Sequence, residues 1–271
     1  MTTDSVVVAA VQTRSTADVA TNLASALEHA ESAAKAGAQL VALPETFGIL
    51  AERGGLLEAK ALEGHPHLEG LVGIAKRHGV YVLAGSVPET GHDATHFYNT
   101  STVISPEGKI IAAYRKIHMF DATLAGGQVL RESDTVSAGK DIVVTEPIHG
   151  FKLGMSICYD LRFPELYRGL VDRGAHLIAI PAAFTLHTGK DHWEPLIRAR
   201  AIESQCYVVA PAQWGEHGAG RSSWGKSMIV DPWGTTLAVA PESEGYVTAR
   251  VSMSFLESVR NRVPSLKHRR L

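Results

Sequence analysis

Three side chains stand where an apolar run gives way to polar sequence, and their types could carry nucleophilic chemistry. Cys158 closes Gly154-Met155-Ser156-Ile157-Cys158-Tyr159-Asp160, a strand pattern running into a turn, where α/β chains expose a nucleophile beside free backbone N–H groups. Glu45 follows Leu40-Val41-Ala42-Leu43-Pro44, at the carboxyl end of an apolar strand, where ligand sites of α/β folds collect. Lys116 ends the run Ile110-Ile111-Ala112-Ala113-Tyr114-Arg115 in similar fashion. A thiol can attack a carbonyl carbon, a carboxylate can take its proton, and an ammonium can hold charge developing on oxygen. Each residue alone also has a plainer reading. Cysteine is among the most buried residue types, a lone Glu can be a solvated loop acid, and a charge at a strand end is ordinary edge protection. Cys206, at the start of an apolar strand without polar neighbours, fits the plainer reading.

The elements that must position these residues alternate between short apolar runs and longer helical stretches, the pattern of an α/β chain. Val6 to Val11 reads as a first buried strand, followed by an Ala-rich helix capped by Thr16, carrying Leu23, Leu27 and Ala30 on one face and ending near Gly37. Pro66 opens a second helix through Leu71, Ile74 and Ala75, and the strand Val80 to Ala84 follows Gly79. Cys158 then ends a strand before a helix around Leu166 to Val171. Leu177 to Ile180 resumes as strand, and a helix near Trp193 to Ile202 leads into Tyr207 to Ala210. Two turns, Ser105-Pro106-Glu107-Gly108 and Asp231-Pro232-Trp233-Gly234, share a Pro-x-Gly ending after an apolar pair, which suits tight turns between strands. Their placement in the two parts of the chain predicts two structurally related halves whose sheets pack face to face with helices outside.

The combination of motifs resembles the nitrilase superfamily of carbon–nitrogen hydrolases. Leu43-Pro44-Glu45, Arg115-Lys116-Ile117-His118-Met119-Phe120-Asp121 and Cys158-Tyr159-Asp160-Leu161-Arg162-Phe163-Pro164-Glu165-Leu166 look like that family's three signature blocks, in order. The similarity runs from the first strand to Asp231-Pro232-Trp233-Gly234. It implies a four-layer α-β-β-α sandwich and a triad of Glu45 as base, Lys116 as positive group and Cys158 as nucleophile. Glu132 matches a second acidic residue that positions the others. The segment Ala183 to Glu194, with Arg198 to Glu203, is similar to the Nit-type branch, whose members hydrolyse amides of 2-oxo acids, deaminated glutathione and 2-oxoglutaramate among them. Gln205 to Ala210 and Pro264 to Arg270 lean toward the deaminated glutathione side. Nitriles and N-carbamoyl amides remain alternatives, as does an idle scaffold or sensor that keeps the fold. The resemblance also implies a homodimer or higher homo-oligomer, with the tail from about 254 to 271 at a subunit interface.

The chemistry needs these residue types on its own terms. An amide is a poor electrophile and a thiol of pKa about 8.5 is only slightly ionised near neutrality, so a base must take the proton as sulfur attacks. Lys116 and the backbone N–H of Tyr159 are placed to hold the developing oxyanion, and a thioester on Cys158 follows, resolved by water. No metal or organic cofactor is required. A 2-oxo acid substrate carries a carboxylate, for which Arg162 offers a planar fork, with Thr185 as a further contact; an ion pair of Arg162 with Glu165 or Asp160 that braces the turn is the alternative.

With 271 residues, 45% hydrophobic and 20% charged, the chain can bury a large core, and no linker marks a boundary, so a single domain over 1–271 is expected. A net charge of −2 argues against nucleic acid. Two cysteines and no long apolar run argue for a soluble cytoplasmic protein with no membrane segment. Among thirteen histidines, the pairs His65/His67 and His92/His96 match no zinc spacing and read as solvated.

Overall fold

The computed structural model describes residues 4–50, 58–91, 93, 95–123, 127 and 129–270. Five strands, Ser5–Thr13, Leu40–Ala42, Tyr81–Thr90, Phe97–Ile104 and Ile110–Arg115, are hydrogen-bonded in that order, the first three parallel and the last two antiparallel. A second sheet repeats the plan with Leu153–Met155, Leu177–Ala179, Tyr207–Ala210, Met228–Val230 and Thr236–Val239. In each half a helix follows the first strand and another the second: Val19–Lys35 and Pro66–His78, then Pro164–Asp172 and Leu186–Ser204. Parallel neighbours need such crossovers, whereas the antiparallel pairs close through short connections, except that Tyr207–Ala210 reaches Met228–Val230 by way of Ala212–Gly218 and Arg221–Trp224.

The two Pro-x-Gly turns occupy equivalent places. The Gly108 N–H bonds to the Ser105 carbonyl at 2.8 Å and the Gly234 N–H to the Asp231 carbonyl at 2.9 Å. Gly108 and Gly234 have φ of 76° and 89°, a region open to glycine, which lets each turn close in so few residues.

Period-two alternation builds the layers. Val6, Val8 and Ala10 of the first strand, with Leu40 and Ala42 of the second, face the other sheet and join Met155, Leu177 and Ala179 in one apolar core. Ala9, Val11, Val41 and Leu43 face the opposite way, against Ala26, Ala30, Leu71 and Ile74 of the first two helices. Trp193, Ile197, Tyr167 and Leu170 cover the outer face of the second sheet. The order helix, sheet, sheet, helix is therefore the expected α-β-β-α sandwich. Two later segments cross between the sheets: Gly245–Ser252 pairs antiparallel with Ser5–Thr13 over eight residues, and Ala212–Gly218 pairs parallel with its end at Gln12 and Thr13.

Three local expectations need correction. Asp18, not Thr16, caps the first helix: its carboxylate accepts from the Thr21 N–H at 3.2 Å, while the Thr16 hydroxyl accepts from the Asp18 N–H one turn earlier. The helix predicted near Trp193 begins at Leu186, because the polar stretch Lys190-Asp191-His192 sits on its exposed side and hides the pattern. His65 is buried rather than solvated. Its ring accepts from the His67 N–H to cap the helix that Pro66 opens, and its other nitrogen meets the Pro88 carbonyl at 3.2 Å. Burial holds both His65 and His67 below the usual imidazole range. His96 is half-exposed beside Asp93, and His92 lies outside the described residues.

Candidate active site

Glu45 leaves the strand Leu40–Ala42 through Leu43 and Pro44, and Thr46 behind it takes a left-handed φ of 53°. That conformation is costly for a β-branched residue and is held by bonds on both sides. The Thr46 N–H donates to Ser86 Oγ at 2.9 Å, and Gln213 Nε2 donates to the Glu45 carbonyl at 3.0 Å. The carboxylate is buried and fully engaged. Oε1 accepts from Lys116 Nζ and Asn99 Nδ2, both at 2.9 Å, and Oε2 accepts from the Ala183 N–H at 2.8 Å.

Lys116 emerges from the end of Ile110–Arg115 and is 2% exposed. Its ammonium donates to Glu45 and to both oxygens of Glu132, at 2.9 and 2.8 Å. Glu132 opens a short 3-10 turn after the hairpin Asp121–Thr123/Val129–Arg131 and also accepts from the Phe120 N–H at 2.7 Å. Burial opposes the charge on Lys116, but the Glu132 and Glu45 carboxylates outweigh it and hold its pKa well above the ordinary lysine value. Lys116 is therefore a fixed cation.

Cys158 begins a 3-10 turn, Cys158–Arg162, directly after the strand Leu153–Met155 and the two residues Ser156 and Ile157. Its φ of 46° is left-handed, and its N–H is pinned to the Pro181 carbonyl at 2.9 Å. The strained bend places the thiol beside the Glu45 carboxylate and the Lys116 ammonium. Burial first, then the Glu45 carboxylate, push the thiol pKa well above its ordinary value, although Lys116 pulls the other way. The Tyr159 N–H, next along the turn, donates to no atom among the described residues.

The thiol opens into a small, partly open cleft walled by Phe120, Tyr159, Arg162, Phe184, Thr185 and Thr188. Arg162 and Thr185, the two residues expected to contact substrate, both line it. Arg162 makes no ion pair with Glu165 or Asp160. Its guanidinium donates to His192 Nδ1 at 3.3 Å and lies over the Phe184 ring, 5.1 Å from its centroid. The Thr185 hydroxyl shares a 2.7 Å bond with Thr188. A wider depression along the helix Leu186–Ser204, lined by Lys190, Glu194, Arg198 and Ile202, holds none of the predicted site residues.

Sequence reasoning missed Asn99, Thr188, His192 and the Ala183 N–H. Asn99 had a signal: an amide within the strand Phe97–Ile104, a poor position for Asn, on a face where it is buried. Backbone donors carry no sequence signal at all. Cys206 is buried, and burial pushes its thiol up to about 11; contrary to the expectation of no polar company, Arg260 donates to its sulfur at 3.3 Å. Among the described residues no three His, Cys, Asp or Glu side chains are grouped to hold a metal, and no helix is long and apolar enough to cross a membrane.

Comparisons with known proteins agree with this geometry. The model of the carbon–nitrogen hydrolase family matches residues 7–261. A deaminated glutathione amidase of Synechocystis sp. is 44% identical over 263 residues, covering 96% of this chain and 97% of that protein. The solved structure of Saccharomyces cerevisiae Nit3, a member of branch 10 of the nitrilase superfamily, superposes with a TM-score of 0.89 at 32% identity, over 99% of this chain and 98% of that one. The NitFhit protein of C. elegans superposes with a TM-score of 0.90 at 36% identity, over all of this chain and 66% of that longer one. With the family model spanning nearly the whole sequence and a full-length relative well above 30% identity, this chain belongs to the carbon–nitrogen hydrolase family, in the nitrilase superfamily.

Proposed function

We propose that the chain is a thiol-dependent amidase for amides of small 2-oxo acids, deaminated glutathione first among them. Cys158 is its nucleophile, Glu45 its proton carrier, Lys116 its fixed cation and Glu132 the brace of that cation. The observation that carries this reading is the single buried cluster in which Lys116 Nζ bonds to both Glu45 and Glu132 beside the thiol. As sulfur attacks the amide carbon, its proton passes to Glu45 and the carbonyl electrons move onto oxygen. The cluster changes from carboxylate and thiol to carboxylic acid and thiolate, so its net charge does not change while the proton moves. Such a transfer needs little reorganisation in a buried site. The Tyr159 N–H receives the oxyanion, and Lys116, whose N–H groups are held by Glu45 and Glu132, stabilises it through its charge. When the C–N bond breaks, Glu45 returns its proton to the leaving amine, then takes one from the water that cleaves the thioester.

The cleft is far smaller than ordinary ligand pockets, so it suits the acyl end of a substrate with the amine part directed outward. Arg162, with the Thr185 and Thr188 hydroxyls, offers donors for the 2-oxo carboxylate at the cavity wall. The relatives named for deaminated glutathione support that substrate over 2-oxoglutaramate. The reading takes 1–271 as one hydrolase domain in a reducing cytoplasm, where both free thiols stay reduced. It also pairs the subunits, with exposed Ile202, Trp233 and Val263 available to be covered.

The test is release of 2-oxoglutarate from deaminated glutathione and from 2-oxoglutaramate, with Cys158→Ala as blank. Faster Cys158-dependent turnover of the first supports the assignment. Faster turnover of the second makes the enzyme an ω-amidase, and hydrolysis of neither overturns the substrate class.

A further inference from the structure

Asp160 is fully buried, yet no lysine or arginine among the described residues pairs with it. A buried carboxylate is costly unless its oxygens are satisfied, and here every donor comes from a segment that carries the site. Oδ1 accepts from the His118 N–H at 3.1 Å and from His118 Nδ1 at 2.7 Å. Oδ2 accepts from the Tyr114 hydroxyl at 2.7 Å and from the Ile157 N–H at 2.8 Å. Since the carboxylate already accepts two backbone N–H bonds, the short contact assigns the imidazole proton to Nδ1. Burial first, and the Asp160 charge second, push the Tyr114 phenol far above its usual range, so it too is a permanent donor.

These partners are not scattered. Tyr114 and His118 flank Lys116 two residues to either side, and Ile157 immediately precedes Cys158. One carboxylate therefore ties the lysine segment of the first half to the nucleophile turn of the second. The His118 ring is held flat against Phe163, at 3.7 Å between centroids and 5° between planes, just past the end of the same turn. Cys158 and Tyr159 lie between the two fastened points, Ile157 and Asp160. Their backbone geometry, including the left-handed φ of 46° at Cys158 and the direction of the Tyr159 N–H, is set between them.

We propose that His118 and Asp160 are a positioning pair: His118, acting through Asp160, locks the nucleophile turn against the lysine segment so that the Cys158 thiol and the Tyr159 N–H address the same carbonyl group. Neither side chain touches the substrate in this scheme. The proposal rests on Cys158 being the nucleophile.

The test compares His118→Ala, His118→Asn and His118→Gln, each with kcat expressed per Cys158 titrated by an alkylating amide. An Asn amide nitrogen can replace Nδ1, whereas a Gln nitrogen falls nearer the place of Nε2. The expected result is a loss in kcat on the order of 10–100-fold for His118→Ala, as misplaced reacting groups produce. KM and the melting temperature should be nearly unchanged, with most of kcat recovered in His118→Asn and not in His118→Gln. Tyr114→Phe, which removes one of the four donors, should show a smaller loss of the same kind. Wild-type kcat in His118→Ala overturns the pair, and so does an equal loss in the Asn and Gln variants. Activity surviving in Cys158→Ala would instead overturn the nucleophile assignment, and the two failures are thereby distinguished.

Discussion

The two halves of the molecule share a strand and helix order and differ in what they place at the strand ends. The first half puts charged side chains there: Glu45 after its second strand and Lys116 after its last. The second puts a thiol after its first strand, Cys158, and a bare backbone N–H, Ala183, after its second. Their helices differ too: Val19–Lys35 buries mainly alanines against the first sheet, whereas Tyr167 and Trp193 cover the second. A repeated scaffold fixes where strand ends meet, and residue type at each end then decides the chemistry. In the proposed mechanism, proton and charge handling fall to one half and covalent chemistry to the other.

The sharpest way to break that division is Cys158→Ala, expected to lower turnover by more than about 10⁴-fold, as loss of a nucleophile does in other hydrolases, with the fold intact by circular dichroism. Measurable activity near the wild-type level would place covalent chemistry elsewhere. Glu45→Gln should be nearly as severe, because the amide cannot carry the proton in either half-reaction. Lys116→Ala should cost on the order of 10²–10³-fold in kcat at saturating substrate. It should also lower stability by about 3 kcal/mol, since two buried carboxylates lose their counter-charge. An effect on KM alone would mean that Lys116 binds substrate rather than stabilising the transition state.

Smaller effects sharpen the picture. Arg162→Ala should raise KM for a 2-oxo acid amide roughly tenfold to a hundredfold, the value of one charge-assisted pair, while a neutral amide of similar size keeps its KM. Equal losses on both substrates would remove Arg162 from carboxylate recognition. Least of all, Gly108→Ala and Gly234→Ala should each cost about 1 kcal/mol in denaturant unfolding with kcat unchanged. If only one of them destabilised the protein, the equivalence of the two turns would fail.

Much of this was legible before any coordinates. The paired Pro-x-Gly turns marked the repeat, and the short continuous apolar runs marked strands whose two faces are both covered. Glu45, Lys116 and Cys158 each end an apolar run that is visible in sequence, and the three signature blocks that resemble the family single them out together. Glu132 was harder, being an acid in the polar stretch Leu130 to Asp134 whose burial depends on Lys116 reaching it across the fold. Asn99 left only the signal of an amide inside a strand, while His192 and the His118–Asp160 contact left none, because they depend on side-chain meetings between distant segments. The first turn of the helix Leu186–Ser204 was lost for a different reason: Gly189 and the polar residues after it break the 3.6-residue apolar pattern.

The pairing of Ser5–Thr13 with Gly245–Ser252 carries a consequence for how the protein is made. An early strand must wait for one about 240 residues later before that edge is filled. At ~5–20 residues per second, a ribosome needs roughly 10–50 s to supply it. During that interval the backbone of Val6, Val8 and Ala10 lacks its partner along that edge, which leaves it open to pairing with other chains until Gly245–Ser252 emerges.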